Sequence, residues 1–170
     1  VEASPSVFRD LMKNLVLNRA ANVRTANIAA GEYSGPVQFY EGPPGNRGLG
    51  SAIRIEGLRP EAVVPSEPLH ELGTPEEMAQ TRLIKIDVEG GELPILRDLL
   101  QVLSRFRETV EIVVEIWPDE NTIEVLRRFE KKGFKLFAIP NSYALEFYIR
   151  PNCRLFRTST SELSTATADI

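Results

Sequence analysis

The spacing of apolar residues switches between helical and strand periods along the chain, and each switch marks an element. Ser4 and Pro5 open a helix, a hydroxyl N-cap with proline at the first helical position. Val7, Phe8, Leu11, Leu15 and Leu17 form its expected apolar face, and it should end near Asn18. A strand is expected over residues 23–30, a turn over 31–35 and a second strand over "PVQFY", 36–40. The stretch "EGPPGNRGLGSA" that follows has no apolar period and reads as a loop, or as the tip of a hairpin resuming at Ile53 and Ile55. Residues 57–81, interrupted by Pro60, Pro65, Pro68 and Pro75, read as irregular, with a short helical signal at 75–80.

The second half of the chain is more regular. In "RLIKIDVEGGELPIL" (82–96), Leu83, Ile84, Ile86 and Val88 form a short apolar run, the pattern of a strand buried on both faces. Asp87 and Glu89 bring charge to its carboxyl end, Gly90 and Gly91 break it, and a helix follows over 92–105. That helix places Leu93, Leu96, Leu99, Leu100 and Leu103 on one face. "VEIVVEIW" (110–117) is a second buried strand, also tipped by an acid, Glu115. A helix over 119–132 has Ile123, Leu126 and Phe129 on its apolar side and Gly133 as its stop. Strands over 134–139 and 144–149, joined by a turn at 140–141, suit an antiparallel edge pair, and the Ser/Thr-rich tail 157–170 is expected to be disordered. The alternation predicts an α/β fold with a mostly parallel sheet. In such sheets ligands sit at the carboxyl ends of the strands, so Asp87, Glu89 and Glu115 mark the rim of a candidate site.

Composition narrows the function. At 170 residues and 42% hydrophobic, the chain can bury one substantial core. Its 20 basic and 24 acidic residues are interspersed, with no basic stripe to follow a nucleic acid and no basic amphipathic helix for a membrane surface. No apolar run is long enough to span a bilayer and no signal-peptide pattern opens the sequence. The single cysteine, Cys153, allows no internal disulfide and suits a reducing cytoplasm; its ordinary role is that of a small hydrophobe.

Taken together, four segments resemble the FkbM-type methyltransferases. "LIKIDVEGGELPIL" is similar to the signature of that family. "VEASPSVFRDLMKNLVLN" resembles its second strand end and following helix through Glu2, Pro5, Phe8, Leu11, Asn14 and Asn18. "NIAAGEYSGPVQFY" matches its next strand, turn and strand through Asn27, Ala29, Gly31, Gly35, Val37 and Phe39, and "VVEIWP" its acid-tipped strand. The resemblance covers about residues 1–140. It implies a Rossmann-like fold, S-adenosylmethionine (AdoMet) as cofactor, and methylation of a hydroxyl on a sugar, a lipid-linked glycan or a secondary metabolite. Two departures stand out. The family's threonine-leucine-aspartate before the signature is here Pro68, Leu69, His70. The family's first strand and glycine-rich loop have no counterpart, because the sequence begins at the end of the second strand. A partial methyltransferase domain over 1–156 is therefore expected, with strand 82–88 lacking a neighbour, weak or no cofactor affinity in the chain as given, and a homodimer as one way to cover the exposed edge.

Methyl transfer needs a held donor, an in-line nucleophile and a place for the acceptor's proton. The resemblance implies Glu2 for the ribose hydroxyls and Asn27 and Ala29 beside the adenine. A solvated terminal acid and a plain strand end are the ordinary alternatives. Asp87 suits the cofactor's ammonium or the acceptor, and Glu89 faces the acceptor or a bound cation, although both acids would also favour a helix amino terminus by about 0.3–1 kcal/mol. His70, the sole histidine, is the candidate neutral-pH base, and a structural loop histidine is the alternative. Asn46, Glu115 and Trp117 are candidate acceptor contacts. Asp87, Glu89, Glu115 and His70 have the chemistry of a cation site, but their spacing does not require one, and no metal is expected. Two other classes remain open: a non-catalytic α/β interaction module that has lost cofactor binding, and a metal-dependent hydrolase.

Overall fold

The computed structural model describes residues 1–116, 119–139, 156–160 and 162–163. Trp117, Cys153, the expected 140–141 turn and the expected strand 144–149 lie outside them. The chain divides into two compact units, Val1–Ile116 and Trp117–Ile170.

The first unit opens with α1 (Pro5–Leu17), capped as the sequence indicates: Ser4 Oγ accepts the Val7 N–H at 3.1 Å. A second anchor reaches this helix start from Glu61. Its Oε2 accepts the Ser4 hydroxyl at 2.7 Å and its Oε1 the Ser6 N–H at 2.9 Å. Val7, Phe8, Leu11 and Leu15 are half-buried, but Leu17 is 78% exposed. At 100° per residue, Leu17 stands about 200° round the helix from Leu15, off the apolar stripe. Burial raises the Glu61 carboxyl, but the bonds from Ser6 and Ser4 outweigh it and hold the group below the usual carboxylate range. Glu61→Ala should therefore cost about 1–2 kcal/mol at neutral pH, a charged hydrogen-bond value discounted for partial exposure. Because the folded value is the lower one, that contribution is complete above the unfolded carboxylate pKa and disappears as pH falls through the folded one. Urea unfolding of parent and variant at neutral and acidic pH should show the gap closing in acid.

Strands β1 (Ala29–Gly31), β2 (Gly35–Glu41) and β3 (Arg59–Pro68) form one sheet in the order β1-β3-β2. β1 runs parallel to β3 from Ala29↔Ser66, and β2 runs antiparallel to it from Gly35↔Ser66 to Glu41↔Arg59. This corrects the expected hairpin. The partner of β2 is 59–68 rather than the Ile53–Ile55 stretch, and 57–81 is not irregular. The prolines that suggested breaks fall where they do little harm. Among the described residues β1 pairs with Ser66–Pro68, so β3 at Pro60 and Pro65 is bonded on one side, an edge position where proline is tolerated, and Pro68 is the last residue of the strand. Pro60 lies at the register shift near Tyr40. The expected strand 23–30 shortens to its last residues. Upstream, the Glu2 N–H bonds the Ala26 carbonyl at 3.0 Å. Ala29, Phe39 and Val64 form a buried cluster at this sheet.

Two short helices follow, α2 (Leu69–Leu72) and α3 (Pro75–Gln80), the latter closed at its start by a reciprocal Thr74–Glu77 capping box. Strand β4 (Leu83–Ile86) leads into α4 (Glu92–Val102), and β5 (Glu111–Val114) pairs parallel with β4, Leu83↔Glu111 to Ile86↔Val114. Ile95, Leu96, Leu99, Leu100 and Val102 are buried on α4, with Leu99 wholly inaccessible. β4 is not buried on both faces: Ile86 is 3% exposed but Leu83 is 55% exposed. Among the described residues β4 is hydrogen-bonded on one edge only, to β5. The architecture is mixed α/β, with a three-stranded mixed sheet and a separate parallel pair where one continuous sheet was expected.

In the second unit, Asp119 caps α5 (Glu120–Lys131) by accepting the Thr122 N–H at 2.7 Å. Gly133 ends it with φ +94°, a conformation that favours glycine. Phe129 and Phe134 meet edge to face at 5.3 Å. β6 (Leu136–Ala138) pairs antiparallel with β7 (Phe156–Thr158), so a strand reaches residues 157 and 158 of the stretch expected to be disordered.

Candidate active site

The acids at the strand ends share one end of the parallel pair. Asp87 and Glu115 each stand one residue beyond the Ile86–Val114 pair, and the Glu115 N–H bonds the Ile86 carbonyl at 3.2 Å. Both are exposed, and Asp87 forms an ion pair with Lys85 at 2.7 Å. Glu89 sits on the turn beyond, half-buried, with φ +53°, a conformation uncommon outside glycine. Burial pushes its carboxyl up from the ordinary value, and the charges of Asp87, Glu115 and Glu92 push it further. A carboxyl with a raised pKa is a stronger base than a free one, and the cluster carries surplus negative charge that a cation would relieve.

Glu92 has a different task. It is 8% exposed, and its Oε1 accepts the Val88 N–H at 3.3 Å and the Gly90 N–H at 3.1 Å. It ties the glycine turn to the first residue of α4. From the other side, the hydroxyl of the fully buried Ser51 donates to the Glu89 carbonyl at 2.7 Å. Sequence reasoning assigned a role to neither residue. Glu92 carried a local signal, a carboxylate opening a helix directly after a glycine turn. Ser51 carried none, because its partner is 38 residues away.

The remaining candidates are placed as follows. Glu2 is half-buried, with Oε1 accepting the Ser4 N–H at 2.7 Å. The exposed Asn27 donates its amide to the carbonyls of Glu2 at 2.8 Å and Ala3 at 3.2 Å, so these two candidates are brought together. Ala29 turns its side chain into the buried cluster with Phe39 and Val64, which leaves only its backbone to meet a ligand. Asn46 lies exposed in the loop after β2, its N–H bonded to the Pro43 carbonyl. His70 is drawn to a partner that the sequence did not reveal, the buried Asp98 of α4. Asp98 accepts from the His70 backbone N–H at 3.2 Å and meets the ring Nδ1 at 2.5 Å.

A cavity of about 480 Å³ lies beside the amino-terminal half of β4. Val1, Thr25, Ala26, Leu69, Leu83 and Ile84 are among its lining residues. Its lining on β4 stops at Ile84, and Asp87 stands about 10 Å further along at ordinary strand rise. The cavity and the acid rim are therefore separate features. Among the described residues, no group of three or more His, Cys, Asp or Glu side chains is arranged to hold a metal ion. Nor is any helix among them long and apolar enough to cross a membrane.

A mixed α/β chain with acid-tipped parallel strands, a glycine turn and a following helix has the features of a methyltransferase-like fold. The comparison with protein families is consistent with this: the methyltransferase FkbM domain matches residues 1–136 of the 170. The chain belongs to that family and is a methyltransferase. No curated protein and no solved structure matches it.

Proposed function

We propose that this chain provides the donor and acceptor rim of an AdoMet-dependent O-methyltransferase with a Rossmann-like fold, acting on a hydroxyl of a sugar, a glycan or a secondary metabolite. The observation that carries this is the convergence of Asp87, Glu89 and Glu115 at one end of the β4–β5 pair. The donor set fits the cofactor. A group bearing an ammonium and a sulfonium suits an acid cluster whose charges already raise Glu89. When bound, AdoMet supplies an electrophilic methyl group.

Asp87 receives the cationic end of the donor, and Glu89 takes the proton that leaves the acceptor hydroxyl. The proton falls to Glu89 because Glu89 stands among the strand-end acids, whereas His70 lies on α2 with its ring Nδ1 on Asp98. Glu2, with one oxygen on Ser4, offers the other to the ribose, and Asn27 steadies the Glu2 backbone. Glu115 and the loop carrying Asn46 flank the acceptor.

Calorimetry of the full-length protein tests this proposal with AdoMet and with its demethylated product. Both should bind, and Glu2→Ala should weaken both by about tenfold, the worth of a net hydrogen bond or slightly more. Absence of binding by either compound would reject the proposal and favour the interaction module.

A further inference from the structure

The Glu89–Gly90 peptide is gripped at both of its polar ends. Ser51 Oγ donates to the Glu89 carbonyl at 2.7 Å, and the Gly90 N–H donates to Glu92 Oε1 at 3.1 Å. Neither grip is incidental. Ser51 is 0% exposed, and its backbone is bonded to Tyr40 in both directions, at 2.8 and 3.0 Å, which anchors it to the end of β2. Its hydroxyl also accepts the Ile53 N–H at 3.0 Å, so its own proton is directed at Glu89. The residues on either side of the gripped peptide hold positive φ, +53° at Glu89 and +101° at Gly90. The first of these is a conformation that side-chain-bearing residues resist, so the peptide needs external bonds to stay as it is.

We propose that Ser51 is a positioning residue of the acid rim. From the loop after β2, it locks the Glu89–Gly90 peptide in the orientation that keeps the Glu89 side chain among Asp87, Glu115 and Glu92. Without the hydroxyl, the Glu89 carbonyl loses its buried donor, the peptide turns, and the Glu89 carboxylate swings toward water. The groups acting on that carboxylate are Asp87, Glu115 and Glu92, with Lys85 paired to Asp87 beside them. The consequence for turnover rests on the O-methyltransferase assignment, whereas the consequence for Glu89 does not.

Carbon-detected NMR titration of the glutamate side chains separates the two in the full-length protein. The Glu89 carboxyl should titrate above the exposed glutamates in the parent and move down toward them in Ser51→Ala. Ser51→Cys is close in size but a weak donor, so it should behave like Ser51→Ala and guards against misfolding of the alanine variant. Methyl transfer should fall by about tenfold or more with KM changed less than about twofold, as expected when a reacting group is misplaced. If a folded Ser51→Ala or Ser51→Cys leaves the Glu89 titration where it was, whatever it does to stability, the positioning role is wrong. If the titration moves in the variants while the parent itself transfers no methyl group, the positioning role stands and the O-methyltransferase assignment falls.

Discussion

Replacing Glu89 by glutamine should give a protein that is more stable at neutral pH and slower at methyl transfer by about 10²–10⁴-fold, the range for losing a general base. The stability gain follows from burial and from the three neighbouring carboxylates that raise this carboxyl, and the loss of rate from the base role proposed for it. In the unfolded chain the same group keeps its ordinary value, so the folded state binds more protons between the two values. Stability from this group is complete below the unfolded pKa and is lost as pH rises through the folded one. Glutamine never ionises and avoids that loss. Its advantage over the parent should be full above the folded pKa and vanish below the unfolded one. Thermal unfolding across pH checks the stability half, and single-turnover transfer the other. A variant that is slower and also less stable at neutral pH would show Glu89 acting as a support rather than as a base held at a cost.

The second large effect concerns His70 and Asp98. The Asp98 side chain is 4% exposed, and among the described residues its polar contacts come from His70, one from the ring and one from the backbone N–H. His70→Ala removes the ring and leaves a buried carboxylate with the backbone bond alone, which should cost about 3–5 kcal/mol. The double variant His70→Ala/Asp98→Leu no longer strands that charge and should recover most of the loss. If His70→Ala unfolds in urea at the parent's midpoint, the pair does not fasten α2 to α4. If the single variant is stable but inactive, His70 would return as a catalytic candidate.

What could be read from the sequence was local. Ser4–Pro5 announced its helix because a cap and its partner lie within one turn. The acid-tipped parallel pair was visible because "LIKI" and "EIVV" are short apolar runs, each followed closely by charge. β3 carries no sequence signal of its own, because Pro60, Pro65 and Pro68 interrupt it as breaks would. Pro60 and Pro65 are tolerated because β1 pairs with the far end of the strand, which no local pattern records. Burial of Leu83 was overestimated because apolar composition does not show whether a strand has neighbours on both sides. In the candidate site, the placement of Asp87 and Glu115 at strand ends and of Glu89 on the turn beyond was legible, whereas Ser51 and Asp98 depend on partners 38 and 28 residues away.

The most direct measurement follows the Glu89 side-chain carboxyl by NMR while AdoMet is added to the full-length protein. A cationic donor seated among Asp87, Glu89 and Glu115 should lower the pKa of Glu89 and shift resonances at residues 87–91 and 115 together. Binding that leaves these positions and the Glu89 titration unchanged would place the donor elsewhere and contradict the account.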